Sequence, residues 1–550
     1  MKKLAYSLFV ALLFLLSACA TSEKEMVAAQ KPFVWEGANL YFLLTDRFNN
    51  GTSDNDVNFE RELPTGKLRG FEGGDIKGIT QKIKEGYFTD LGINAIWFTP
   101  VTEQIHGSVD EGTGNTYGFH GYWAKDWTAL DPNFGTMEDL AELVETAHAN
   151  GIRIVMDAVI NHTGPATEVD PAWEKDWVRI EPTCTYKNFA TTAECTLTDN
   201  LPDIMTESTQ EVAIPASLAE KWDNEGRYDQ EMEELDAFFT RTGYPRTPKY
   251  YLIKWLCDYI IEFGIDGYRS DTVKHTDESV WADFRKECEY AFQLWKKKHP
   301  EKVLDDNEFY SVGEVYGYNI SSKFTYDFGD KQVNYFANGF NELINFEFKY
   351  NAQSSCEQLF SKYSEILNGD LNGYGVLNYL SSHDDGSPFD PNREKSFEAA
   401  NKLLLCPGTS QVYYGDETAR SLVIEGTVGD ATLRSFMNWD QLASDTSRQQ
   451  ILKHWQKLGQ FRRNHPAVGA GVHKMISEKP YLFSRTFSNA DFQDQVFVGM
   501  DLLKGKKELA IPELKNGTQL RDAYSGKITK VKKGKVSLDT QYDIVLLELL

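Results

Sequence analysis

From residue 40 onward, short apolar runs alternate with longer amphipathic segments. Brief apolar runs bounded by turn residues read as buried strands, while apolar positions three and four apart read as one face of a helix. Strand-like runs fall at 40–46, 94–99, 153–159, 265–270, 309–313, 343–346, 376–380 and 411–414, and helical patterns between them include 137–150, 250–263 and 281–298. This alternation predicts an α/β fold with parallel strands, and a count of eight favours a closed (β/α)8 TIM barrel over an open sheet.

The rhythm breaks twice. Residues 163–248 are rich in Pro, Thr and acidic side chains and lack the barrel pattern, so they read as an inserted subdomain B after the third strand. Beyond about residue 460, strand-like runs such as 495–500, 508–511 and 543–549 are separated by Gly, Asn and Lys turns. These predict a C-terminal antiparallel β-sandwich. The expected domains are a catalytic barrel over 36–162 and 249–459, subdomain B over 163–248 and a β domain over 460–550.

The first residues run Met1-Lys2-Lys3, an apolar stretch over 4–16, then Ser17-Ala18-Cys19. A charged start, a short apolar middle and a small-residue end predict a cleaved signal peptide over 1–18, too short for a membrane-spanning helix. Leu16-Ser17-Ala18-Cys19 resembles a bacterial lipobox, which implies lipidation of Cys19, a polar tether over 19–35 and a lipid anchor to the membrane. Ala20 supplies no strong retention cue. An exported outer-membrane lipoprotein is expected, with exposure at the cell surface left open.

Composition narrows the partner. Lys and Arg total 57 against 82 Asp and Glu, a formal net charge of −25. That balance repels phosphate and disfavours nucleic acid, leaving a neutral partner as the better fit. The 12 Trp, 27 Tyr and 33 Phe suit stacking on flat apolar ligand faces. Of seven cysteines, six remain beside Cys19 in a compartment where disulfides persist. Sequence leaves their pairing open; Cys184 and Cys195 close a short polar loop and are the expected disulfide, while Cys257, Cys288, Cys356 and Cys406 sit in apolar patterns and read as buried thiols.

In a barrel of this kind, chemistry gathers at the C-terminal ends of the strands. The third strand ends Asp157-Ala158-Val159-Ile160-Asn161-His162, the fourth Asp266-Gly267-Tyr268-Arg269-Ser270-Asp271, the fifth Ser311-Val312-Gly313-Glu314 and the seventh Ser381-Ser382-His383-Asp384. One strand-end Asp is most often a cap; acids on four strands of one barrel are harder to dismiss. Converging carboxyls push their pKa values apart, the division that glycoside hydrolysis requires of its nucleophile and its acid. Arg269 lies two residues before Asp271, on the same strand face, where its charge keeps that carboxylate ionised.

These four segments resemble the conserved regions of the α-amylase superfamily, glycoside hydrolase family 13, in order and on the expected strands. The resemblance implies Asp271 as nucleophile, Glu314 as general acid and base, and Asp384 as the carboxylate on sugar hydroxyls. It also implies Arg269, His162 and His383 around the same subsite, with His120 and Tyr122 of Gly118-Phe119-His120-Gly121-Tyr122-Trp123 contacting the sugar. Asp430 and Arg434, in a D-x-x-x-R segment, would grip sugars on the non-reducing side, and Lys274-His275 would face reducing-side sugars. Ser382 and Asp385 depart from the family's usual Asn at both positions.

The same resemblance implies one or two Ca²⁺ sites. Asn161, Asp203 and the His275 carbonyl would clasp the insert to the barrel, and Asn50, Asn55, Asp56, Gly73 and Asp75 would form an N-terminal site. Hard oxygen donors of this kind suit calcium. The expected activity is retaining endo-hydrolysis of α-1,4-glucosidic bonds in starch, glycogen and maltooligosaccharides, with glucan-uptake proteins as possible partners. The chain ends after one β domain, whereas glucanotransferases usually carry more, which favours hydrolysis over cyclisation. Cyclomaltodextrinase, maltogenic amylase and glucanotransferase activities stay open, as does a non-catalytic glucan-binding lipoprotein.

Overall fold

A computed structural model describes residues 31–550; the signal, Cys19 and most of the tether lie outside them. Eight parallel strands close a barrel in chain order: β1 (Asn39–Leu43), β2 (Ala95–Phe98), β3 (Arg153–Ala158), β4 (Gly267–Ser270), β5 (Tyr310–Gly313), β6 (Glu342–Asn345), β7 (Gly375–Tyr379) and β8 (Thr409–Tyr413). Each falls on a predicted apolar run. Every residue of β1 to β8 is buried, because helices cover the outer face and side chains fill the interior.

The helices carry readable end signals. Met137–Ala149 opens on a capping box between Thr136 and Asp139. Pro248–Phe263 starts with Pro at its first turn and ends at Gly264, whose φ of +73° and 2.0 Å approach of a notional Cβ to the Trp295 ring both demand glycine. The chain then enters β4, delivering the strand that carries Arg269.

Residues 163–248 include the helices Phe189–Ala193, Ala216–Asn224 and Tyr228–Thr242 and a two-stranded ribbon in which Val178–Arg179 pairs with Asp203–Ile204. Cys184 and Cys195 are disulfide-bonded. Cys257, Cys288 and Cys406 are buried thiols, whereas Cys356, expected to be buried, is only partly so, since it opens the helix Cys356–Asn368 at the surface.

Position 460, read as a domain boundary, falls inside the helix Thr446–Asn464, which packs on the barrel through Ile451, Trp455, Leu458 and Phe461. Its amphipathic pattern continues without a break, so no signal marked a border there. The C-terminal strands begin at Val472. A six-stranded antiparallel sheet and the ribbon Gly505–Ala510 with Lys535–Thr540 enclose a separate core of Leu482, Phe497, Leu509, Val536, Leu538 and Val545. This is the expected β-sandwich, with strict in-out alternation along Lys535–Thr540.

Candidate active site

Register builds the site. Arg269 on β4 lies directly opposite Asp157 on β3, and the ladder continues past the strand ends, with the Asp271 amide donating to Ala158 O and the Glu314 amide to Ser270 O. Three strands therefore bring their acids to one guanidinium. Arg269 Nη1 donates to Asp157 Oδ1 at 2.9 Å and to Asp271 Oδ1 at 2.7 Å, and Nη2 lies 3.0 Å from Glu314 Oε2. A single planar fork reaches both carboxyls and so holds them as neighbours across one guanidinium.

Asp271 and Glu314 are not equivalent on that fork. Burial pushes the Glu314 carboxyl well above its ordinary range, Arg269 opposes it, and the negative charges of Asp271 and Asp384 push it further. Asp384 goes the other way. Partial burial raises it, but His383, Arg269 and the Ser382 hydroxyl, 2.9 Å away, together hold it below the usual carboxylate range. Its side chain is 31% exposed, the most open of the three acids.

The aromatic and histidine residues form one continuous wall. Tyr122 stacks on His383 at 5.3 Å between ring centroids, and His383 meets Phe42 edge-on at 5.1 Å. His120 Nδ1 accepts from the Tyr122 amide at 3.1 Å, and His162 Nε2 lies 3.1 Å from Tyr122 O. Burial pulls all three histidines down, His383 to about 4, so they meet a ligand as neutral rings. Asp430 is clamped by Arg434 at 2.6 Å and Arg69 at 3.0 Å. Lys274 Nζ donates to Tyr316 O and the Tyr326 hydroxyl, with its pKa lowered by burial.

Sequence reasoning passed over several contributors. Asp157 received no role, yet Trp97 Nε1 at 3.0 Å, the Tyr122 hydroxyl at 2.9 Å and Arg269 all converge on it, and burial raises it to about 6. Its position at a strand end was the available signal. Thr272 was also missed: it holds a left-handed backbone at φ +47°. Asp385, one of the two departures from the family pattern, is engaged by Lys349 and by the Tyr379 hydroxyl at 2.6 Å.

The two expected metal sites differ. In the N-terminal loop, Asn50 Nδ2 donates to Asp56 Oδ1 at 2.9 Å, Asn55 Oδ1 is buried without a hydrogen-bond partner, and Gly73 backs onto Asn50 and Asp56 so closely that a Cβ would lie 2.6 and 2.7 Å from them. Asp56 Oδ1 and Asn55 Oδ1 supply hard oxygens to this cradle. Asp75 is committed elsewhere: it caps the helix Ile76–Lys84 through the Gly78 amide and accepts from the Gly51 and Thr52 amides.

At the clasp, Asn161 and Asp203 are buried side by side where residues 161–163 meet 202–204, but Arg179 Nε lies 2.7 Å from Asp203 Oδ2. Burial pushes the Asp203 carboxyl upward, against the pull of Arg179. The His275 ring sits against Thr192 O at 3.0 Å. Among the described residues no group of three or more His, Cys, Asp or Glu side chains is placed to hold a metal, so any cation must draw most of its ligands from amide and carbonyl oxygens.

Residues 42–461 match the family model for the alpha amylase catalytic domain. Over 507 residues the chain is 34% identical to the periplasmic alpha-amylase of Escherichia coli (strain K12), covering 82% of this chain and 70% of that protein. It is 28% identical over 464 residues to the cyclomaltodextrin glucanotransferase of Geobacillus stearothermophilus, covering 82% of this chain and only 57% of that longer relative. Among solved structures, an Anoxybacillus alpha-amylase superposes with a TM-score of 0.64 at 25% identity, covering 94% of this chain and 99% of that one. A three-domain cyclomaltodextrin glucanotransferase shares the fold at a TM-score of 0.62 and 21% identity, covering 93% and 99%. The barrel, its shared arginine and these matches lead to one statement: the chain belongs to the α-amylase family and is a glycoside hydrolase of the α-amylase type.

Proposed function

We propose that this protein is an exported α-amylase that cleaves internal α-1,4-glucosidic bonds of starch, glycogen and maltooligosaccharides with retention of configuration. The observation that carries this reading is Arg269 holding Asp271 and Glu314 together while their surroundings differ. Asp271, paired with a buried guanidinium, attacks the anomeric carbon and forms a glycosyl ester. Glu314, kept protonated by burial and its acidic neighbours, donates its proton to the departing glycosidic oxygen. It then takes a proton from water as the ester is hydrolysed, returning the enzyme to its starting state. Asp384, ionised and open to the cleft, accepts hydrogen bonds from sugar hydroxyls and offsets the positive charge that develops on the ring. Tyr122 offers a flat face to the sugar, and His120, His162 and His383 surround it as neutral polar rings. Asp430 and Arg434 would extend contacts to the non-reducing side, Lys274 and His275 to the reducing side.

A calcium ion in the N-terminal loop suits the donor set of Asn50, Asn55, Asp56 and the Gly73 backbone, and would brace the loop ahead of the helix Ile76–Lys84. The E. coli relative is periplasmic by name, which supports export; the lipobox resemblance at Cys19 supports a lipid anchor.

Transfer to another sugar in place of water is the second reading. The glucanotransferases among the relatives favour it, and a three-domain glucanotransferase of the same fold removes domain count as an argument for hydrolysis. Products on soluble starch, cyclodextrin and pullulan decide between them. Rapid release of linear maltooligosaccharides from starch is expected; faster degradation of cyclodextrin or pullulan, or formation of cyclic products, would reject the α-amylase reading.

A further inference from the structure

The clasp between the inserted subdomain and the barrel already contains a cation. Arg179 stands opposite Asp203 in the ribbon of Val178–Arg179 with Asp203–Ile204. Its Nε lies 2.7 Å from Asp203 Oδ2, its Nη1 donates to Glu194 O at 2.7 Å, and its Nη2 pairs with Glu207. The guanidinium is 17% exposed, and Asp203 only 2%. We propose that Arg179 takes the place of the calcium ion that the fold family implies at Asn161, Asp203 and the His275 carbonyl, so that a side chain, and not a metal, joins the insert to the barrel here.

The donor count supports this. Calcium takes about six to eight oxygens. Arg179 engages Asp203 Oδ2 and the Glu194 carbonyl, and Asn161 Oδ1 accepts from the Thr276 hydroxyl at 3.3 Å. Asp203 Oδ1 is a buried side-chain oxygen left without a hydrogen-bond partner, and with the His275 carbonyl it makes two uncommitted oxygens, too few for a hard divalent ion. Charge argues the same way. A dication placed beside a fixed guanidinium would be repelled at contact distance, and the local acids, Asp203 and Glu207, are already engaged by Arg179. Cross-strand register fixes where Arg179 starts, so the arrangement is built into the ribbon.

The inference rests on the residues of the clasp and leaves the proposed hydrolysis untouched, because its readout is metal content. Calcium retained by the full chain after dialysis is counted by plasma emission for wild type, Asp56→Ala and Asp56→Ala with Asp203→Asn. Asp56 lies on the partly exposed loop, so its variant removes only the N-terminal donor set. Asp56→Ala is expected to retain no calcium, and its melting temperature to be the same in chelator and in calcium. Retention of one ion by Asp56→Ala that is lost on adding Asp203→Asn overturns the proposal. Should Asp56→Ala not fold, the comparison of wild type with Asp203→Asn serves: equal counts are expected, and one ion fewer in Asp203→Asn overturns it.

Discussion

The Thr272 amide donates to Glu314 Oε2 at 2.8 Å from a left-handed backbone with φ +47° and ψ +38°. Such a conformation costs a residue with a β-branched side chain of order 1 to 3 kcal/mol and persists where surrounding structure enforces it. Here it turns the chain directly after Asp271 so that its own backbone fixes the rotamer of the opposing acid. Asp271 and Glu314 are thus oriented by adjacent residues.

Glu314→Gln should lower kcat by about 10² to 10⁴, the range for loss of a general acid, with KM little changed. Because burial raises the Glu314 carboxyl, it stays protonated to higher pH than an ordinary carboxylate, and wild-type activity should fall as pH climbs through that raised value. The basic limb of the pH profile should disappear in the variant. Wild-type rates for Glu314→Gln would remove the assignment.

Arg269→Lys keeps a charge but not the fork. One ammonium cannot serve Asp157, Asp271 and Glu314 together, so kcat should drop at least ~100-fold. Breaking a buried ion pair costs about 3 to 5 kcal/mol when partners are stranded, and thermal unfolding should show a matching loss. Unchanged activity would mean that the shared guanidinium does not organise the acids.

Chelation should lower the melting temperature of the wild type through the N-terminal loop alone. At a free calcium concentration of 100 times Kd, binding to the folded state contributes about 2.7 kcal/mol. Scanning calorimetry with calcium and with chelator reads this directly, and a wild type indifferent to chelator would discard the loop site.

His465 joins the long helix to the sandwich, with Nδ1 2.9 Å from Asp494 and Nε2 2.8 Å from Glu548. Burial lowers its pKa, but hydrogen bonds and charge from Asp494 and Glu548 outweigh this and raise it above the ordinary 6.5. The folded state therefore binds the proton more tightly. The stabilisation is complete below pH 6.5 and is lost as pH rises through the raised value. Melting temperatures taken from pH 5.5 to 8.5 should decline on this account, and His465→Gln should flatten that slope.

The eight strands were legible because each is buried on both faces and lies on or beside a short apolar run, and Asp271, Glu314 and Asp384 were legible because strand ends place them. Arg269 could be placed beside Asp271 from spacing of two. Its bond to Asp157 could not, since that depends on the register of β3 against β4. Arg179 was hidden for the same reason: its meaning comes from standing opposite Asp203, twenty-four residues away, in a ribbon too short to leave a periodic signal. Thr272 was invisible because a left-handed φ at a threonine has no compositional mark. The boundary at 460 lies close to the end of the matched catalytic domain but inside an amphipathic helix, where the pattern shows no break.

Lys349 and Asp385 face each other in a buried position next to Asp384 in the chain, with Tyr379 sharing the same carboxylate. Protein engineers working there would meet a two-step valley: changing Asp385 alone to a neutral amide abandons an ammonium in a dry place, and removing Lys349 alone abandons an anion. Library designs that vary single positions will discard this corner as intolerant, whereas paired exchange keeps it open to redesign.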